Sequence, residues 1–161
     1  MADILEEERS DPIGKASYEN MEENYQILLR ETDQDGQPFT IIRMPLPPTI
    51  YTEITPTSDN YEMMKALRFD DETVVLDGKT PLKGVVPASY CNFLVTNGLV
   101  LLPYYHTEGR SEHYKKTDDM SKEILQRAYP DRKIVQIDAV NINIGGGGMH
   151  CITQQEPLRD V

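Results

Sequence analysis

The chain has 161 residues, enough for one domain with a real core, and its 39% hydrophobic and 27% charged content is ordinary for a globular protein. A net charge of −11 argues against nucleic acid or an anionic membrane as partner, since both need basic patches, and leaves room for a small cationic substrate. No apolar run approaches the roughly 20 residues of a membrane helix, and the opening MADILEEERSDP lacks a basic-then-apolar leader pattern, so a cytoplasmic location is expected.

Residues 17–32, SYENMEENYQILLRET, predict an amphipathic helix with Ser17 as N-cap. Met21, Tyr25, Leu28 and Leu29 fall at i, i+4, i+7 and i+8, a single apolar stripe. DQDGQP ends that helix with turn chemistry. FTIIRMP (39–45) predicts a strand, stopped by PLPP. Between Tyr51 and Gly84 the pattern is weak; it reads as a long irregular connection with a short helical piece around Tyr61–Leu67 and a strand-like TVVL (73–76).

SYCNFLVTNGLVLLPYY is clearer. Its two apolar runs flank Asn97-Gly98, the strongest short hairpin signal. HTEGRSEHYKK reads as a polar loop. TDDMSKEILQRAYPD predicts a helix, with Asp118 and Asp119 in its first turn, Met120, Ile124, Leu125 and Ala128 on one face, and Pro130 closing it. KIVQIDA (133–139) predicts a strand, and VNINI (140–144) an extended run that feeds a glycine tract. Strands and helices alternate, so the class is α/β or α+β, and Ser89–Ala139 has the order strand–strand–helix–strand.

The two cysteines, Cys91 and Cys151, are too few for a disulfide scaffold and lie in no zinc-like spacing. Cys91 sits in an apolar run and reads as a small buried hydrophobe. Cys151 follows Gly145–Gly148 within three residues, in GGGGMHC. A phosphate loop is disfavoured, because no basic helix start follows the glycines. Four glycines cost on the order of 0.5–1 kcal/mol each against alanine in a regular element, which makes close approach of a ligand to the backbone a sensible use for them.

An isolated cysteine is more often inert than reactive, and a nucleophilic one needs a base or positive charge beside it. In an extended strand His150 would point away from the face of Cys151. His106 and His113 read as solvent-exposed loop histidines, with a replacement base as the alternative. If Cys91 and Phe93 face the core, Asn92 faces the other side and can reach a site; otherwise it is a strand-end asparagine bonded to backbone.

Beyond that point the argument rests on resemblance. INIGGGGMHCITQQEP is similar to the C-terminal signature of the agmatine deiminase and bacterial-type peptidylarginine deiminase family, in which a Gly-rich strand end precedes His-Cys-hydrophobic-Thr-Gln-Gln. ASYCNFLVTNGLVLLP resembles a second family segment. SDPIGKASYENMEENYQILLRETDQDGQPFTIIRMPLP and YPDRKIVQI resemble two more, so the likeness runs in order along nearly the whole chain.

The resemblance implies a pentein fold, a propeller of five ββαβ blades, of which residues 1–161 would supply about two and part of a third. It implies a guanidine hydrolase with no metal or organic cofactor. Cys151 matches the nucleophile, Asn92 an active-site asparagine, and Gly147 and Gly148 the backbone lining the substrate pocket. The implied reaction converts agmatine to N-carbamoylputrescine and ammonia, towards putrescine. Peptidyl-arginine is the alternative substrate, and the acidic, leaderless sequence tilts the choice to agmatine. The family's Trp-x-Arg-Asp-x-Gly-Pro and His-x-Asp segments have no counterpart here, since the chain has no tryptophan and no His-x-Asp. The expectation is therefore the C-terminal part of a single catalytic domain. Either it is complemented by an N-terminal half that brings the base, or it is an inactive remnant that self-associates through exposed strand edges.

Overall fold

The computed structural model describes residues 1–67, 69 and 74–156. Two short strands open the assembly: β1 (Ala2–Asp3) lies parallel to β2 (Met44–Pro45). Between them runs α1 (Pro12–Leu28), preceded by a 3-10 turn over Glu6–Ser10. The helix starts five residues before the expected Ser17, because Asp11-Pro12 is the stronger signal. The Asp11 carboxylate accepts the amides of Ile13 (3.0 Å) and Gly14 (3.1 Å), while Pro12 sits in the first turn, where no N–H is needed. Arg43 ties α1 to the strands by reaching Asp3 (3.1 Å) and Glu22 (3.2 Å) and lying 4.0 Å above the Tyr25 ring. The expected strand over 39–45 is confined to Met44–Pro45, since only those residues find a partner.

The segment from Tyr51 to Gly84 is more regular than the sequence suggested. β3 (Tyr51–Ile54) pairs antiparallel with β4 (Leu82–Val85), and α2 (Asp59–Lys65) stands between them, capped by Ser58. The helical piece at Tyr61 is thus present. The strand-like TVVL is not formed over 74–76, and Thr73 lies outside the described residues.

The second half contains the strand–strand–helix–strand unit read from the sequence. β5 (Leu94–Thr96) and β6 (Leu99–Tyr104) form a hairpin across Asn97-Gly98, with Gly98 at φ +73°. α3 (Glu112–Ala128) then returns the chain to β7 (Lys133–Asp138), parallel to β6, giving the sheet order β5-β6-β7. Pro103 lies where β6 has passed the end of β5, a place that tolerates a residue without an N–H. α3 begins at Glu112, inside the stretch read as a polar loop. Asp118 therefore falls in its second turn rather than its first and is buried.

The core lies between this sheet, α3 and the β2 region. Val100 and Leu102 from β6, Ile134 from β7 and Leu125 from α3 meet Met44, Ile50 and the rings of Tyr90 and Tyr105. Among the described residues, no helix is long and apolar enough to cross a membrane. After β7 the chain departs from expectation. Val140–Ile144 is a single helical turn, α4, and His150–Ile152 is a 3-10 turn; neither is extended.

Candidate functional site

The chemistry expected of Cys151 starts from how the glycine tract is held. Asn60, at the start of α2, donates to the Ile144 carbonyl (2.9 Å), and Asn143, in α4, donates to that of Gly147 (2.6 Å). These two amides fix both ends of a turn in which Gly146 takes φ +92°. Gly148 and Met149 are buried, and the chain then rises into the 3-10 turn that presents Cys151 at the surface. At two of the four glycines a side chain would meet a neighbour, tightly at Gly147 and prohibitively at Gly148. A Cβ on Gly147 would sit 3.2 Å from the Cys151 Cβ, and one on Gly148 only 2.4 Å from the Asn92 Cγ.

Asn92 comes from the turn that precedes β5. Both ends of its side chain are used across the gap between the two segments. Nδ2 donates to the Cys151 Sγ (3.1 Å), and Oδ1 accepts the backbone N–H of His150 (2.8 Å). The sulfur thus has a fixed donor, which favours its anion. That contact first, then the backbone at Gly148 and at Cys151 itself, outweigh desolvation and hold the Cys151 thiol below its ordinary range. A lowered thiol pKa at an exposed position is the setting of a reactive cysteine rather than an inert one.

The expected residues Cys151, Asn92, Gly147 and Gly148 therefore converge on one spot. The route differs from the reading of the sequence, which placed Asn92 opposite a buried Cys91. Cys91 is exposed, and residues 90–91 form a turn, so strand alternation does not apply there. Asn92 reaches the sulfur because the turn aims it.

The histidines divide differently. His150 has an exposed side chain and contributes its backbone N–H. It lies in a 3-10 turn, so the strand argument for its direction falls away. His113 is no loop histidine. Its ring in the first turn of α3 sits between two carboxylates, Nε2 to Glu7 at 3.0 Å and Nδ1 to Glu8 at 3.0 Å. His106 faces Glu112 at 3.8 Å and donates its backbone N–H to Asp118 (2.8 Å). None of these rings is among the hydrogen-bond partners of Cys151 in the described residues.

Behind Asn92 lies a polar cluster that the sequence did not reveal. The buried Asp118 carboxylate accepts the Tyr90 hydroxyl (2.6 Å) and the backbone N–H groups of Tyr105 (2.9 Å) and His106 (2.8 Å). Burial first, and then Asp118, push the Tyr90 hydroxyl far above the phenol range, so it remains a donor. The Tyr105 hydroxyl grips Ser89 twice, accepting from its N–H (2.9 Å) and donating to its carbonyl (3.2 Å). The fully buried rings of Tyr90 and Tyr105 meet edge to face at 5.2 Å.

The mixed α/β fold thus presents an exposed, hydrogen-bonded thiol beside a glycine loop. The chain belongs to the Porphyromonas-type peptidyl-arginine deiminase family, whose profile matches residues 3–157. A protein of Latilactobacillus sakei named "Putative agmatine deiminase" is 34% identical over 154 residues, which are 94% of this chain and 35% of the relative. The solved agmatine deiminase of Enterococcus faecalis is 32% identical with a TM-score of 0.61, covering 97% of this chain and 36% of that one. The structure of a Porphyromonas gingivalis protein named "Putative Arginine Deiminase", at 24% identity, shares the fold with a TM-score of 0.63 over 97% of this chain and 33% of its own. The chain thus spans about a third of the length of these relatives.

Proposed function

We propose that this chain carries the nucleophile of a guanidine hydrolase, with Cys151 as the attacking group. The observation that carries this is the 3.1 Å contact from Asn92 Nδ2 to an exposed Sγ beside glycine backbone, in a member of a deiminase family. The thiolate adds to the guanidinium carbon, forming a C–S bond. One C–N bond then breaks, and the nitrogen leaves as ammonia after taking a proton. Water adds to the thiouronium carbon, the C–S bond breaks, and a ureido group is released with the thiolate restored. The sum is guanidinium plus water giving urea derivative plus ammonium. Gly147, half-buried beside the sulfur, offers backbone to the flat cation, while Gly148 leaves the space that the Asn92 amide fills. Agmatine is the favoured substrate, with N-carbamoylputrescine as product; the family description makes peptidyl-arginine the second substrate to assay.

The group that protonates ammonia is proposed to lie in polypeptide beyond these 161 residues. His106 and His113 are engaged with carboxylates, the relatives are nearly three times as long, and the thiol is open to solvent. On this reading the ββαβ unit of β5–β7 is one blade of a propeller, and the chain is the C-terminal part of one catalytic domain.

The deciding assay is ureido product from agmatine, with Cys151→Ala as control, together with labelling by chloroacetamidine and by neutral iodoacetamide. Product lost in Cys151→Ala, or amidinium labelling of Cys151 that agmatine blocks, supports the reading. Turnover that survives Cys151→Ala, or labelling indifferent to agmatine, overturns it.

A further inference from the structure

We propose that Asp118 is a positioning residue for the thiol, acting through Tyr90 and Asn92; the proposal rests on the reading of Cys151 as the reactive group. Asp118 lies on α3 and touches neither the sulfur nor the glycine loop. It is 4% exposed, yet it is a carboxylate with no cation beside it among its hydrogen-bond partners. Its two oxygens take three donors, which satisfies a buried anion without an ion pair.

One of those donors, Tyr90, comes from the segment that carries Asn92, and the other two come from the end of β6. Tyr105 and His106 follow β6. Tyr90 lies two residues before Asn92, in the turn Ser89–Asn92. That turn is held within itself by the Cys91 N–H on Ser89 Oγ (3.1 Å) and the Asn92 N–H on the Ser89 carbonyl (3.4 Å). It is held to the core by the Tyr90 hydroxyl on Asp118 and on Thr117 Oγ1 (2.8 Å), and by the Tyr105 hydroxyl on Ser89. Among the described residues, its side-chain hydrogen bonds to the core run through Asp118, its neighbour Thr117, or the tyrosine whose N–H Asp118 accepts, and the Tyr90 ring is itself packed in the hydrophobic core.

Asn92 must satisfy two partners at once, a sulfur and a backbone N–H on the facing segment. A hydrogen bond to sulfur at 3.1 Å weakens steeply once its donor swings or retreats. The turn has no regular secondary structure to hold its direction, so the carboxylate behind it sets the aim of Nδ2. A purely structural role would make Asp118 matter for folding and leave the chemistry of the thiol alone.

The test uses the 161-residue chain with Cys91→Ser, since Cys91 is also exposed. The ultraviolet absorbance of the Cys151 thiolate is followed against pH, and alkylation by iodoacetamide is timed at neutral pH. Asn92→Ala provides the reference for a sulfur without its donor. Tyr90→Phe keeps the ring and removes only the hydroxyl; Asp118→Asn keeps one acceptor oxygen for Tyr90. We expect Tyr90→Phe to move the thiol titration upward and slow alkylation by about threefold to tenfold, on the scale of one lost hydrogen bond. We expect Asp118→Asn to shift it less. The double change Tyr90→Phe with Asn92→Ala should match Asn92→Ala alone, because one effect runs through the other. A titration in folded Tyr90→Phe that superimposes on the parent overturns the proposal, and so does full additivity in the double change. These readouts need no turnover. A chain that shows the coupling but makes no covalent guanidine chemistry sinks the functional reading alone.

Discussion

An added Cβ on Gly148 would stand 2.4 Å from Cγ of Asn92, closer than any real contact allows, and its two other nearest neighbours are the amide nitrogen and oxygen of the same side chain. The glycine is therefore the floor on which the thiol's hydrogen-bond donor rests. Its absent side chain and the presence of Asn92 are one feature seen from two segments 56 residues apart in sequence.

Gly148→Ala is expected to push Asn92 off the sulfur. The chain should lose roughly 1–3 kcal/mol, the usual penalty of overpacking a filled site, and Cys151 alkylation should slow. Gly98→Ala is the contrast. Its φ of +73° strains an alanine by about 1–2 kcal/mol, but nothing lies within 4 Å of the new Cβ, so the thiol should titrate as before. Urea unfolding with iodoacetamide kinetics on both variants separates clash from strain.

Asn92→Asp replaces an N–H donor by a carboxylate against the sulfur. In the parent, the alkylation-rate profile should have its midpoint below that of an ordinary thiol, since the donor favours the anion. In Asn92→Asp two negative charges meet, so the midpoint should move above that of Asn92→Ala. Equal midpoints for the parent and Asn92→Ala would show that the donor is not what holds the thiol down.

Loss of the Asp118 carboxylate should be costly to the fold. Asp118→Ala leaves the Tyr90 hydroxyl and the Tyr105 and His106 amides without their acceptor. At about 1–3 kcal/mol for each buried group left unpaired, a loss of ~3 kcal/mol or more is expected in urea unfolding. Tyr90→Phe should lose about 1 kcal/mol, leaving enough fold for the thiol measurements. A Asp118→Ala chain as stable as the parent would remove this cluster from the core.

Glu7 carries an acid-sensitive tie between the N-terminal turn and α3. The Lys116 ammonium (2.6 Å) first, and then the backbone and the His113 ring, hold its carboxyl down at about 2, against an ordinary 4.5. The folded chain therefore keeps Glu7 ionised where the unfolded chain protonates it. Its contribution is complete above pH 4.5 and is lost as pH falls towards 2. Glu7→Gln should flatten the acid limb of thermal stability against pH between those values. The pair is exposed and salt should weaken it.

Much of the architecture was legible because local chemistry and tertiary need agreed. The Asn97-Gly98 turn, the apolar runs on either side, the α3 stripe through Leu125 and the strand at Lys133–Asp138 all point one way. Where the sequence reading failed, a local rule was outweighed. Ser17 lost the helix start to Asp11-Pro12, because a carboxylate with two amide partners and a proline that needs none is the better cap. The β3–β4 pair was invisible because its alternation is mild and its strands are separated by a helix. VNINI has β-branched residues that favour extension, yet Asn143 curls it by bonding across to Gly147.

For the site, the sequence by itself determined that a thiol follows four glycines and that Asn92 stands at the head of a strand-like apolar run, and from those motifs came the family resemblance; that Asn92 is aimed by a turn was decided by the tertiary structure. Only the tertiary structure decided that Nδ2 of Asn92 meets the sulfur, that Gly148 is the space it occupies, and that Asp118 stands behind both. The reason is physical. A motif encodes what the backbone can do over a few residues, whereas a hydrogen bond at 3.1 Å between residues 59 apart exists only when packed tyrosines and a buried carboxylate bring two segments to the same place.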